Sequence, residues 1–252
     1  MRVDISNIIQ ELGTQYIEIR DENNNPVKFC YEQANGECNT NPTNIIWVKV
    51  PSIPANGETF LIVVPSSTNQ ASEGDQVFDF YDDFNGNSLD TNKWLGASSD
   101  ISISNSIITL NTDHQSPGPY LRSIKTWTSG NYIIEVKVVS HTDYVRFLIG
   151  FENNVYVYDD GGSNYWGLRV NGQRINSWGY DVPANGLVGI VSLTIVSKTI
   201  LNDPSNNTPK EWSSYSTNLG RIQLNSWANS DISIDYVAIR KYADQEPTYR
   251  IE

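Results

Sequence analysis

Period-two alternation runs through most of this 252-residue chain, and helical periodicity is almost absent. In IEVKV (134–138) and YVRFLIGF (144–151) the face of the chain changes at every residue. Successive side chains of a strand point to opposite sides, so this pattern builds half-buried strands and not an amphipathic helix. Turn signals cut the pattern into short pieces: DENNNP at 21–26, NGECNTNPTN at 35–44, and PANG at both 54–57 and 183–186. The first third predicts strands over Tyr16–Arg20, Val27–Tyr31, Ile45–Val50 and Phe60–Val64, with Ser6–Leu12 as a short helix or a loop. About a dozen further strands are expected between Ile101 and Arg240. Many short strands with Gly, Asn and Pro turns predict an all-β fold: an antiparallel two-sheet sandwich of the jelly-roll type, preceded by a small β domain. The polar stretch PSSTNQASEGD (65–75) has linker composition and sets the expected division into domains 1–76 and 77–252.

Charge narrows the partners. The chain carries 17 Lys plus Arg against 29 Asp plus Glu, a net charge of −12. Nucleic acids are bound through basic clusters that release counterions, so a nucleic-acid role is not expected. No apolar run reaches the roughly 18 residues of a membrane helix, and membrane insertion is not expected either. The opening MRVDISNIIQELG lacks the apolar core of a secretory leader and reads as a mature fragment with an added Met. The two cysteines, Cys30 and Cys38, lie in CYEQANGEC, which reads as a strand, a turn and the start of a return strand. A disulfide is the expected state, with two inert thiols as the alternative, since two Cys without nearby His make half a zinc site. Such bridges persist mainly in oxidising compartments, which predicts an extracellular or cell-surface location.

The densest aromatic stretch is VFDFYDDFNGNSLDTNKW, Val77–Trp94. Its segment FYDDFNGNSLDTNKW resembles the opening strand of concanavalin-A-like, laminin-G-like domains, and ISIDYVAIRKY (Ile232–Tyr242) resembles their closing strand. Upstream, IEIRDENNNPVKFCYE and NIIWVKVPSIPANGETFLIVV resemble an uncharacterised β domain that precedes lectin-like domains in secreted archaeal and bacterial surface proteins. The return strand here ends in FLIVVPSSTN, where that family often has tyrosines and a YGNP-like turn. The resemblance implies a lectin-like module. It also implies a structural calcium between first and last strands, for which Asp83 and Asp235 are the candidate ligands. The aspartates of the stretch could equally cap a turn.

Catalytic machinery is sparse in the sequence. The lectin-like fold also houses laminarinase-type glycosidases, whose one-strand E-x-D-x-(x)-E pattern does not occur here. Asp231 and Asp235 share a face but stand about 13 Å apart at strand rise. Hydrolysis needs two carboxyls within about 5–9.5 Å. His114 and His141 are isolated, and no nucleophile elbow or phosphate-binding loop is present. The chain is therefore not expected to be an enzyme.

Sugar recognition uses aromatic faces and a few fixed polar groups. If Phe147, Ile149, Trp166, Leu168 and Val170 point inward, then Tyr144, Arg146, Tyr165, Arg169 and Arg174 line the outer face of one sheet. Tyr158, Asp159 and Trp178 complete the candidate surface. The expected function is a non-catalytic carbohydrate-binding module taking a polysaccharide or glycan, within a larger secreted chain. The alternatives are a structural or adhesive surface protein and, less favoured, a glycoside hydrolase.

Overall fold

The computed structural model describes residues 1–54, 57–96, 99–112, 117–128, 130–142, 146–152, 155–159, 166–171, 173–177, 188–204, 206–213, 215–216, 218–227, 230–243 and 248–249. It divides into two units, one made of Met1–Tyr81 with Ala243–Glu252 and the other of Asp82–Tyr242. The units part at Tyr81/Asp82, a little beyond the expected division after residue 76, and the C-terminal residues group with the first unit. The 65–75 stretch, linker-like in composition, is packed in part: Ser72 is buried, and its N–H donates to the Phe29 carbonyl.

The first unit contains β1 (Arg2–Asp4), α1 (Ser6–Leu12), β2 (Ile17–Asp21), β3 (Phe29–Glu32), β4 (Cys38–Asn39), β5 (Ile45–Val48), β6 (Leu61–Pro65) and α2 (Gly74–Val77), and β7 (Phe80–Asp82) spans the division. One sheet runs β1-β5-β3-β4, and β2 pairs β6 separately. Ser6–Leu12 is a helix, ended by Gly13 in the left-handed region (φ 68°). Alternating residues of three strands make the core: Ile17 and Ile19, Phe29 and Tyr31, Ile46 and Val48. The expected hairpin is present, and Cys30 and Cys38 are disulfide-bonded across it.

The second unit contains β8 (Trp94–Leu95), β9 (Ile101–Ser104), β10 (Ile107–Thr112), β11 (Pro117–Trp127), β12 (Tyr132–His141), β13 (Arg146–Phe151), β14 (Val155–Asp159), β15 (Trp166–Val170), β16 (Gln173–Ser177), β17 (Gly189–Ile195), β18 (Thr199–Asp203), β19 (Asn206–Trp212), β20 (Gly220–Trp227) and β21 (Ser230–Lys241). One sheet runs β19-β18-β17-β12-β21-β10-β9 and the other β16-β15-β14-β13-β20-β11-β8. Every pairing recorded within them is antiparallel. The fold class is therefore the all-β jelly-roll sandwich that the alternation predicts. Apolar residues of both sheets are buried together, among them Leu110, Ile134 and Val136 of the first and Leu121, Ile149 and Leu224 of the second. The fully buried Ser226 of β20 donates to the Leu110 carbonyl of β10 at 3.0 Å, tying the two sheets with a satisfied polar group.

The polar NDPSNNTPKE segment (202–211), rich in residues of loop propensity, forms the β18–β19 hairpin. Its Pro209 is tolerated because β19 is an edge strand, where a missing N–H costs no ladder bond. Trp212 at its end is buried.

Two outcomes test this account. Replacing both Cys30 and Cys38 with Ala opens the closed loop and is expected to cost about 2–3 kcal/mol in urea unfolding of the intact chain. Tyr31 is buried with its hydroxyl donating to the Gln15 carbonyl, and burial pushes its pKa up to about 12. The unfolded chain loses that proton near pH 10 and the folded chain near 12. The Tyr31 contribution is therefore whole below pH 10 and declines as pH rises toward 12, by at most about 1.4 kcal/mol per unit. Tyr31→Phe is expected to remove that component of the alkaline slope.

Candidate functional site

In the second unit Asp82 is buried, accepts the indole N–H of Trp94, and faces the Lys93 ammonium at 3.5 Å. Burial pushes its carboxyl above the usual range, opposed by Lys93 and by the Trp94 bond. Phe84 stacks on Trp94 with centroids 5.9 Å apart. Asp83, one of the two candidate calcium ligands, accepts the Asn85 N–H at 3.3 Å. The other, Asp235, is skipped in the β12–β21 register between Ile234 and Tyr236, at a bulge. Among the described residues no group of three or more His, Cys, Asp or Glu gathers to hold a metal. These side chains alone fall short of the roughly six to eight oxygens calcium takes.

The outer face of the β16-to-β8 sheet is built by parity. On β20, Ile222 and Leu224 are fully buried in the core, so Gln223 and Asn225 belong to the opposite face. One register row crosses all seven strands of that face: Leu95, Arg122, Gln223, Gly150, Tyr156, Arg169 and Arg174. The next row holds Tyr120, Asn225, Leu148, Tyr158, Gly167 and Ser177.

Gln223 is 4% exposed and Asn225 only 2%, although both lie away from the core. Both amides are therefore covered by neighbouring groups on that side of the sheet. The Asn225 Oδ1 atom is buried without a hydrogen-bond donor, a state that costs about 1–3 kcal/mol. Arg122 and Glu152 form an ion pair at 3.1 Å, from β11 and the end of β13, which flank β20 on either side. Gly150 lies between Gln223 and Tyr156. A Cβ there would come within 2.5 Å of the Tyr156 Cα and the Val155 carbonyl oxygen, so only glycine fits.

The predicted surface residues map onto these rows unevenly. Arg169 and Arg174 stand opposite one another, Arg146 stands opposite Trp227, and Tyr158 opposite Leu148. Asp159 instead pairs Phe147 and Trp166, in the alternation class of the core residues Ile149 and Phe151. A bulge at Ile175 separates Arg174 from Asn176, because Leu168 pairs Asn176 while Arg169 pairs Arg174. Tyr144, Tyr165 and Trp178 lie outside the described residues. Sequence reasoning passed over Arg122, Glu152, Gln223 and Asn225. The available signal was RIQLNSW (221–227), in which two amides alternate with core Ile222 and Leu224.

A family profile described as a domain of unknown function (DUF2341) matches residues 14–97. No curated protein sequence matches the chain. Among solved structures it is similar to a prokaryotic β-1,3-1,4-glucanase (lichenase) from a mouse hindgut metagenome, at 15% identity and TM-score 0.47, covering 65% of this chain and 99% of that one. It is also similar to the carbohydrate recognition domain of Emp47p, at 13% identity and TM-score 0.48, covering 66% and 96%. A legume lectin-like domain from Entamoeba histolytica matches at 4% identity and TM-score 0.45, covering 60% and 91%.

The face predicts opposite signs for two substitutions. Gly150→Ala is expected to destabilise the chain by about 1–3 kcal/mol, through forced backbone movement. Asn225→Leu removes the unpartnered oxygen and is expected to leave the thermal midpoint unchanged or higher.

Proposed function

We propose that this chain is a non-catalytic carbohydrate-binding module whose site is the outer face of the β16-to-β8 sheet. The single observation that carries the reading is Asn225: a polar side chain, 2% exposed, on the face away from the core, whose Oδ1 lacks a donor. A sugar hydroxyl supplies such a donor, and buried polar groups retained at a stability cost are typical of binding sites. Tyr156, half-buried in the adjoining row, offers an aromatic ring of the kind that pyranose C–H surfaces stack on. Non-catalysis is proposed because Glu152, a carboxylate of this face, is committed to Arg122. Hydrolysis would ask two carboxyls to share one bond. A secreted or surface location is proposed from the disulfide.

Affinity electrophoresis and pull-down against a panel of neutral and acidic polysaccharides, with reducing ends assayed in parallel, test the proposal. Retention on one or more glycans without release of reducing ends is the expected result. Asn225→Leu is expected to keep the fold and lose the retention. Absence of retention on every glycan overturns the reading, and released reducing ends overturn the non-catalytic part. A structural calcium held by Asp83 and Asp235 is a separate proposal, for which EDTA is expected to lower the melting midpoint.

A further inference from the structure

We propose that strand β6 is a docking edge for a second copy of this chain, the two β6 strands pairing antiparallel about Ile62. The contact lies in the first unit and does not depend on the glycan reading of the second. β2 and β6 form a ribbon whose register runs without a break from Ile17 opposite Pro65 to Asp21 opposite Leu61. Ile17 and Ile19 are buried, and Leu61 and Val63 pack against the same core. By parity Glu18 and Arg20 of β2 share the outer face with Ile62 and Val64 of β6. Tyr16 and Phe60, just before each strand, continue that face. It is apolar and exposed: Phe60 is 54% exposed, Ile62 47% and Tyr16 43%. Its two charges, Glu18 and Arg20, are paired with each other at 2.9 Å.

The backbone of β6 is open as well. The Ser66 N–H donates to the Tyr16 carbonyl at 2.8 Å. Bonded and non-bonded rows alternate in an antiparallel pair, so Glu18/Val64 and Arg20/Ile62 are bonded rows. Leu61 and Val63 therefore turn their N–H and C=O groups away from β2. The corresponding groups of β2 are occupied on its far side. The Val27 N–H donates to the Ile19 carbonyl at 2.7 Å, and the Asp21 N–H donates to the Asn25 carbonyl at 2.9 Å. On the β6 side, among the described residues, the sheet ends. Bare edges are ordinarily blunted by a lysine, a bulge or a cover. β6 reads LIVVP, with no charge and no bulge, and only Pro65 closes its far end.

A second copy fits this edge by its own chemistry. Pairing centred on Ile62 sets Leu61 of each copy opposite Val63 of the other, and all four outward N–H groups find carbonyls. Pairing centred on Val63 would set Leu61 opposite Pro65, which has no N–H to return. Centring on Ile62 also joins the two outer faces into one apolar stripe, with Phe60 of each copy opposite Val64 of the other. Charge favours the same place. Two chains at −12 each repel, yet residues 59–72 carry no charge, and Glu58 falls opposite Ser66 of the other copy. No like charges meet across the two-fold axis, and the contact closes on itself as a dimer. One strand pair makes a small contact, so the dimer is expected to be weak.

Analytical ultracentrifugation of the intact chain over a concentration series tests this. The native sequence is expected to show a monomer–dimer equilibrium. Ile62→Lys and Ile62→Glu each set a charge opposite its own copy and are expected to raise the dissociation constant about tenfold or more. The thermal midpoint of dilute protein should hold in both, because the side chain is exposed. Mixing the two variants is expected to restore the dimer, now with Lys opposite Glu. A native chain still monomeric at about 1 mM overturns self-pairing and leaves the edge to a strand of a different protein. A dimer that neither charge weakens overturns it too, since the copies then meet elsewhere. So does a dimer lost in both variants and not recovered on mixing.

Discussion

Strand β20 is the constraint on which the rest of the second unit depends. Its neighbours β11 and β13 are both antiparallel to it, so its register sets theirs. Ile222 and Leu224 fill the core and Ser226 ties it to the other sheet through the Leu110 carbonyl. With those three residues fixed inward, Gln223 and Asn225 have no choice of side. A one-residue slip would bury both amides in the core and expose both aliphatic chains, at a cost of several kcal/mol. The core therefore fixes the side of the sheet on which Gln223 and Asn225 lie.

The same face carries costs that packing does not explain. An orphaned oxygen on Asn225 and a glycine at a crowded position each work against stability. Both lie in adjoining register rows of one sheet. Several comparable groups elsewhere in the molecule are satisfied. Asp82 has Trp94 and Lys93, Tyr31 has the Gln15 carbonyl, and Ser226 has the carbonyls of Leu110 and Ser230.

Much of the architecture was legible in the sequence because alternation and turn residues are local signals. The Cys30–Cys38 hairpin followed from a turn between two cysteines close in the chain. The β18–β19 hairpin did not, because its Asn, Ser and Pro residues carry loop propensities and an edge strand tolerates them. The 65–75 segment misleads for a related reason: its composition is that of a linker, yet Ser72 is bound to Phe29.

The sequence by itself determined which residues of each strand share a face, since period two is a property of the extended backbone. That is why Arg169 and the Tyr158 position could be assigned to an outer face from the chain alone. Tertiary structure decided which strands are neighbours, and so which residues share a row. Arg122 joins Arg169 only because β11 and β15 belong to one sheet, although they are far apart in the chain. Arg174 meets Arg169 only because of a bulge, a break in the very periodicity that sequence reasoning relies on. Asp159 fell to the core-side class for the converse reason: its ladder with Phe147 and Trp166 is unbroken, and parity alone places it.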